Sequence, residues 1–202
     1  MIIINIDDIK RTGAPKPTNI LIIDSGVNNT TNAINYVLGE PNTDYLNHGT
    51  IVAQIITSIN PLANIYSAKV VDRGGTTVND KVVQALLYAV YVNKDIDMIN
   101  ISLGLQSYSR TVQELINQLH NRGVLIICAA GNTYSVYPAL YDNTISVGAT
   151  DDNNNIESYS ALADIYTYGS VTINNKTYRG TSFACSVYTG ILSLDNNKGD
   201  DN

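Results

Sequence analysis

Five strand-length apolar runs punctuate the chain, at residues 20–23, 65–71, 98–101, 124–128 and 145–147, each bounded by polar or small residues. Their length and their β-branched content predict buried strands. Between them the apolar positions recur every three or four residues. One stripe is Ile51, Val52, Ile55, Ile56 and Ile59; a second is Val82, Val83, Leu86, Leu87 and Val90; a third is Val112, Leu115, Ile116 and Leu119. Each stripe gives one apolar helix face. Strands alternating with such helices predict an α/β fold of three layers, a mostly parallel sheet with helices on both faces. Ligands of such sheets bind beyond the carboxyl ends of the strands. Asp24, Ser102 and Asn132 each fall at or just past the end of a strand-like run.

The 202 residues fit one domain, large enough to bury roughly 70% of its unfolded surface without disulfide staples. Its expected bounds are an N-terminal arm at 1–18, the folded domain at 19–194 and a disordered polar tail at 195–202. The net charge of −6 and the absence of clustered lysine or arginine disfavour a nucleic-acid partner. The start has no basic segment ahead of its few apolar residues, and no stretch approaches the roughly 20 apolar residues of a membrane span. The expectation is therefore a cytoplasmic protein with no membrane partner, unless the chain is a processed fragment. Cys128 and Cys185 read as reduced core thiols, with their pairing left open. Residues 151–155 are rich in aspartate and asparagine, but the glycine and glutamate positions of an EF-hand loop hold Ile156 and Leu162. They read as a solvated turn, and neither metal nor cofactor is expected.

Chemistry enters at four places. Ser182 lies in Gly180-Thr181-Ser182-Phe183-Ala184, a small-residue turn that opens an apolar run. A serine hydroxyl is a weak nucleophile until a base takes its proton and a third group orients that base. His48, in Asn47-His48-Gly49-Thr50, precedes a helix stripe and is the candidate base. The other histidine, His120, reads as the end of a helix. Asp24, in Ile22-Ile23-Asp24-Ser25-Gly26, is the candidate orienter, and Asn132, after Ala129-Ala130-Gly131, is a carboxamide donor able to stabilise an oxyanion.

In this order, Asp-Ser-Gly, His-Gly-Thr, Ser-Leu-Gly, Ala-Ala-Gly-Asn and Gly-Thr-Ser make residues 19–192 resemble the subtilisin family of serine peptidases. The resemblance implies a subtilisin-like fold and a triad of Asp24, His48 and Ser182, with Asn132 and the Ser182 N–H as oxyanion donors. It further implies that Ser102, Leu103 and Gly104 pair with a peptide substrate, and that Thr77 and Val78 belong to an opposite edge strand. Ala129, Ala130 and Gly131 would form one wall of the pocket for the residue before the scissile bond. Val136 and Tyr137 would form another, shallow or medium in depth because Val136 is bulky. The stretch 51–64 is too short for the family's calcium loop, so no calcium is carried over. A usual proline after the nucleophile is replaced by Cys185-Ser186, and the chain runs only twenty residues past Ser182. The nucleophile helix is thus expected to be poorly shielded, with a partner chain or oligomer covering that face.

The implied activity is a serine endopeptidase acting through an acyl-enzyme on a peptide or protein, in particular on a specific peptide or leader sequence. Two rivals stand beside it. One is a catalytically silent binding or accessory protein on the same scaffold. The other, a nucleotide-binding domain, is disfavoured because no Gly-x-Gly-x-x-Gly follows the first strand.

Overall fold

The computed structural model describes residues 2–4, 14–173 and 175–194. The expected tail, and most of the expected N-terminal arm, lie outside the described residues. The predicted strands form at β2 (Thr18–Asp24), β4 (Ala63–Lys69), β5 (Met98–Ile101), β6 (Leu125–Ala129) and β7 (Ile145–Thr150). They are joined by β1 (Ile2–Ile4), β3 (Ala33–Asn35) and β8 (Ile165–Tyr168) in one parallel sheet, ordered β1-β8-β7-β6-β5-β2-β4-β3. A separate antiparallel hairpin comprises β9 (Ser170–Ile173) and β10 (Lys176–Arg179).

The stripes become α1 (His48–Ile59), α2 (Asn79–Leu87, running on into a π-helical turn at Tyr88–Val92) and α3 (Arg110–His120). Ser109 caps α3 by accepting the Val112 N–H at 3.4 Å, and His120 ends it. A fourth helix, α4 (Thr181–Leu194), carries Ser182 in its first turn. The three layers follow from the alternation along β2. Leu21 and Ile23 face the cluster that holds Val82 and Leu86 of α2 and Val112 and Leu119 of α3. Ile20 and Ile22 face the opposite cluster, with Val52 and Ile56 of α1 and Ala184 and Tyr188 of α4. Every residue from Ile20 to Ile23 is fully buried, as a strand covered on both sides must be.

Two expectations change, and a question left open, the cysteine pairing, is answered. The nucleophile helix is well shielded: most of α4 is buried, with Phe183, Val187 and Ile191 packed against Ile51 and Ile55 of α1 and under Val171, Ile173 and Tyr178 of the hairpin. Residues 76–78 form no strand with any described residue: the Thr76 carbonyl accepts the Asp72 N–H in a turn, Val78 is extended and α2 begins at Asn79. The cysteines are both free and buried and lie on opposite faces of the sheet, which excludes a bond between them. Burial drives both thiols upward, Cys185 to about 12. The turn after β7 is solvent-exposed, and Asp151 Oδ1 accepts the N–H groups of Asn153 and Asn155. Among the described residues no group of side chains is arranged to hold a metal, and no helix is long and apolar enough to cross a membrane.

Candidate active site

Asp24 is the last residue of β2, and β2 is central, so its carboxylate emerges at the carboxyl edge of the sheet almost wholly buried. There it meets His48, the first residue of α1: Asp24 Oδ1 lies 2.8 Å from His48 Nδ1. The close approach requires glycine at position 49, where a Cβ would stand 2.2 Å from the Gly26 carbonyl oxygen and 3.0 Å from the Asp24 Cβ. With Nδ1 committed to Asp24, Nε2 is the ring nitrogen left for a substrate or nucleophile. Burial pulls the imidazole toward its neutral form, but the Asp24 charge and hydrogen bond, with a further contribution from Asp44, outweigh it and hold His48 above its ordinary value.

Three side chains outside the expected set, those of Ser25, Asp44 and Lys69, build this corner. Asn47 sits at the N-cap of α1 in a left-handed conformation and caps nothing with its side chain. The first donors of the helix are taken instead by Ser25 Oγ, which accepts the Gly49 N–H at 3.0 Å, and by Asp44 Oδ2, which accepts the Thr50 N–H at 2.9 Å. Lys69, fully buried at the end of β4, donates through Nζ to the carbonyls of Ser25 and Val71 and pairs with Glu40 at 3.4 Å.

On the other side of the site, Asn132 follows β6. Its Oδ1 accepts from the Thr181 N–H at 2.9 Å and the Thr181 hydroxyl at 3.0 Å. A backbone N–H can only donate, so this contact fixes the orientation of the carboxamide and frees Nδ2 for a ligand. Ser182 follows at once, in the first turn of α4, where leading N–H groups lack partners one turn back inside the helix; those of Phe183 and Ala184 donate to the Gly180 carbonyl. Its hydroxyl donates to the Ser102 carbonyl at 3.0 Å. Among the described residues no hydrogen bond joins Ser182 Oγ to His48. The Ser182 carbonyl accepts from Ser186 Oγ at 2.7 Å and from Ser102 Oγ at 3.2 Å. Asn100, fully buried in β5, accepts the Ser102 hydroxyl and donates to Cys185 Sγ and to Thr189 Oγ1, tying α4 to the sheet.

Ser182 and Asn132 open on a cavity of about 300 Å³ lined also by Ser102, Leu103, Gly104, Ala129, Gly131 and Val136. Val136 spans it: one of its methyl carbons would lie 2.9 Å from a Cβ on Gly104 and 3.4 Å from one on Gly131. Thr77 and Val78 line an adjoining groove of about 590 Å³ that shares Gly104. Two expected pocket residues stand elsewhere. Ala130 turns to a cavity behind the wall, and the Tyr137 ring packs on Tyr108 and Tyr141 while its backbone bridges Leu105.

The comparisons with known proteins agree with this frame. The model of the subtilase family matches residues 16–198. M-protease from Shouchella clausii is 34% identical over 202 residues, covering 87% of this chain and 53% of the relative. Subtilisin Savinase from Lederbergia lenta is 35% identical over 186 residues, covering 82% and 68%. The chain thus spans 53% and 68% of the lengths of these two relatives. The crystal structure of a lanthipeptide protease superposes with a TM-score of 0.77 over 90% of this chain and 73% of that one, at 23% identity, which supports the shared fold. A parallel sheet with an Asp-His pair at one strand end, a serine at a facing helix start and a family match over nearly all of the chain lead to one assignment: this chain belongs to the subtilase family.

Proposed function

We propose that the chain is a serine endopeptidase that cleaves a specific peptide after a small or medium apolar residue. The observation that carries the reading is the 2.8 Å pairing of Asp24 with His48 in a fold where Ser182 and Asn132 share one cavity. Catalysis begins with rotation of the Ser182 hydroxyl from the Ser102 carbonyl toward His48 Nε2. Oγ then attacks the scissile carbonyl carbon as its proton passes to Nε2, and Asp24 stabilises the imidazolium from the Nδ1 side. The oxyanion takes hydrogen bonds from Asn132 Nδ2 and the Ser182 N–H. His48 returns the proton to the departing amine, and water, deprotonated by His48, hydrolyses the acyl-enzyme. Val136 closing the gap between Gly104 and Gly131 supports the preference for a small side chain. A defined peptide, such as a leader sequence, is the substrate class we propose; the solved structure that shares the fold is itself that of a lanthipeptide protease.

A serine-directed organophosphonate tests the reading. Intact protein should gain one probe mass on Ser182, and the Ser182→Ala variant should gain none. Wild-type protein that folds and stays unlabelled would assign the chain to the silent-scaffold alternative.

A further inference from the structure

Asp44 is a second carboxylate at this site, almost fully buried, in the loop ahead of α1. Oδ1 accepts the Leu46 N–H of its own loop at 3.2 Å, and the other side-chain contacts of Asp44 reach the acid-base corner. Oδ1 accepts the Ser25 hydroxyl at 2.8 Å, and the same hydroxyl lies 3.0 Å from Asp24 Oδ1. Oδ2 accepts both the N–H and the hydroxyl of Thr50, at 2.9 and 2.7 Å, in the first turn of the helix that begins with His48. The backbone of Asp44 is itself fixed, because its N–H and carbonyl exchange hydrogen bonds with the Asn28 side chain. The carboxylate therefore grips both sides of the corner: the residue just past β2, Ser25, and the first turn of α1, through Thr50.

We propose that Asp44 is a positioning residue for the acid-base pair, holding His48 in line with Asp24 and keeping a second negative charge near the imidazole. The proposal rests on the reading of His48 as the base. Two physical effects follow from the geometry. Asp44 fills the capping role that Asn47 leaves open, and an anion at a helix N-terminus is favourable. It also favours the protonated ring that forms as Ser182 gives up its proton.

The charges around His48 are few. Asp24 approaches from β2 and Asp44 from the loop ahead of α1. Lys69 of β4 lies behind the Ser25 peptide and is paired with Glu40, which in turn holds Arg73. From α4 the imidazole meets the uncharged Phe183 ring at 5.6 Å between centroids. Among the described residues no cation contacts the ring directly, so the loss of Asp44 is not masked by the loss of a partner beside it.

The chain has two histidines, so isotope-labelled histidine in a His120→Ala background gives one imidazole signal. Its titration by NMR needs no turnover. Asp44→Asn keeps an oxygen acceptor for Thr50 and removes the charge. The expected result is a His48 midpoint lower by about half a unit or more, with kcat down about tenfold and KM within about twofold. A folded Asp44→Asn protein with an unmoved midpoint overturns the proposal, since a merely structural residue would cost stability and leave the titration alone. If that variant does not fold, Ser25→Ala severs the bridge while leaving both carboxylates. It should lower kcat about tenfold with the midpoint held, and an unchanged kcat overturns the proposal. Wild-type protein that neither cleaves peptide nor takes the phosphonate refutes the peptidase reading instead, while the histidine titration still reports on Asp44.

Discussion

Asp24 and His48 are joined at 2.8 Å, backed by Ser25 and Asp44 and fixed from below by buried Lys69, whereas Ser182 across the cavity has turned its hydroxyl to the Ser102 carbonyl. The acid-base half is locked by hydrogen bonds that no substrate needs to form. The nucleophile half is locked in its backbone, through Asn132 and Asn100, but its hydroxyl has a side-chain rotation still to make. A staggered rotamer change of this kind is fast and inexpensive compared with moving a helix. The difference teaches where the fold spends its rigidity: on the groups that must hold charge, and on the frame around the nucleophile.

The largest effect should come from removing the rotating group. Ser182→Ala is expected to lower kcat by on the order of 10⁴–10⁶ while leaving the His48 titration close to that of wild type, because no hydrogen bond joins the two residues here. Peptide turnover and histidine NMR on the same sample check this. A large movement of the His48 midpoint on loss of Ser182 would mean the two halves are coupled before substrate arrives.

Asn132→Ala comes next, at about 10²–10³ in kcat with little change in KM, as for any donor that serves the oxyanion and not the bound substrate. The carboxamide also holds the Thr181 N–H and hydroxyl, so the variant tests the rigid frame of the nucleophile half as well. Steady-state kinetics separates the two. A rise in KM matching the fall in kcat/KM would show that substrate binding, and not transition-state stabilisation, depends on Asn132.

How much of this was legible in the sequence differs between the same two halves. The central strands were legible because β2 and β5 to β7 are buried on both faces and read as short apolar runs. The stripes of α1, α2 and α3 were legible because each faces one core cluster. Asp24, His48, Ser182 and Asn132 stood out because small residues crowd around them in a fixed order. Asp44 did not, since a loop aspartate has no periodicity and its partners Ser25 and Thr50 lie on other elements. The hairpin that covers α4 was missed because Val171, Ile173 and Tyr178 are spread among polar residues in two four-residue strands. Residues 76–78, expected as an edge strand from the family resemblance, are all β-branched, but a strand needs a pairing partner and no described residue supplies one.

Val136 sharpens the comparison on the substrate side, since it belongs to neither half but sets what reaches both. Val136→Gly removes the side chain that spans Gly104 and Gly131. The variant should gain about 10- to 100-fold in kcat/KM for large aromatic residues before the scissile bond, relative to alanine or valine. A peptide library read by mass spectrometry measures it. An unchanged preference would mean the cavity is closed by something other than Val136.

The smallest effect is a pH dependence, and it has opposite signs for rate and stability. His48 must be neutral to accept the serine proton, so kcat/KM should fall as pH drops through the His48 value. The balance of Asp24 and Asp44 against burial puts that value above the ordinary 6.5. The same raised value means that the folded state binds the proton more tightly than the unfolded chain. This contribution to stability is full below the unfolded value and is lost as pH rises through the folded one. The protein thus gains rate over the range in which it gives up that increment. Thermal unfolding of wild type and His48→Gln at about pH 5.5 and about pH 9 isolates the effect. The acid-minus-alkaline difference in Tm should be smaller in the variant, other groups cancelling between the two proteins. An equal or larger difference in the variant would mean that the carboxylates do not outweigh burial at His48, and that the acid-base half is less finished than its 2.8 Å bond indicates.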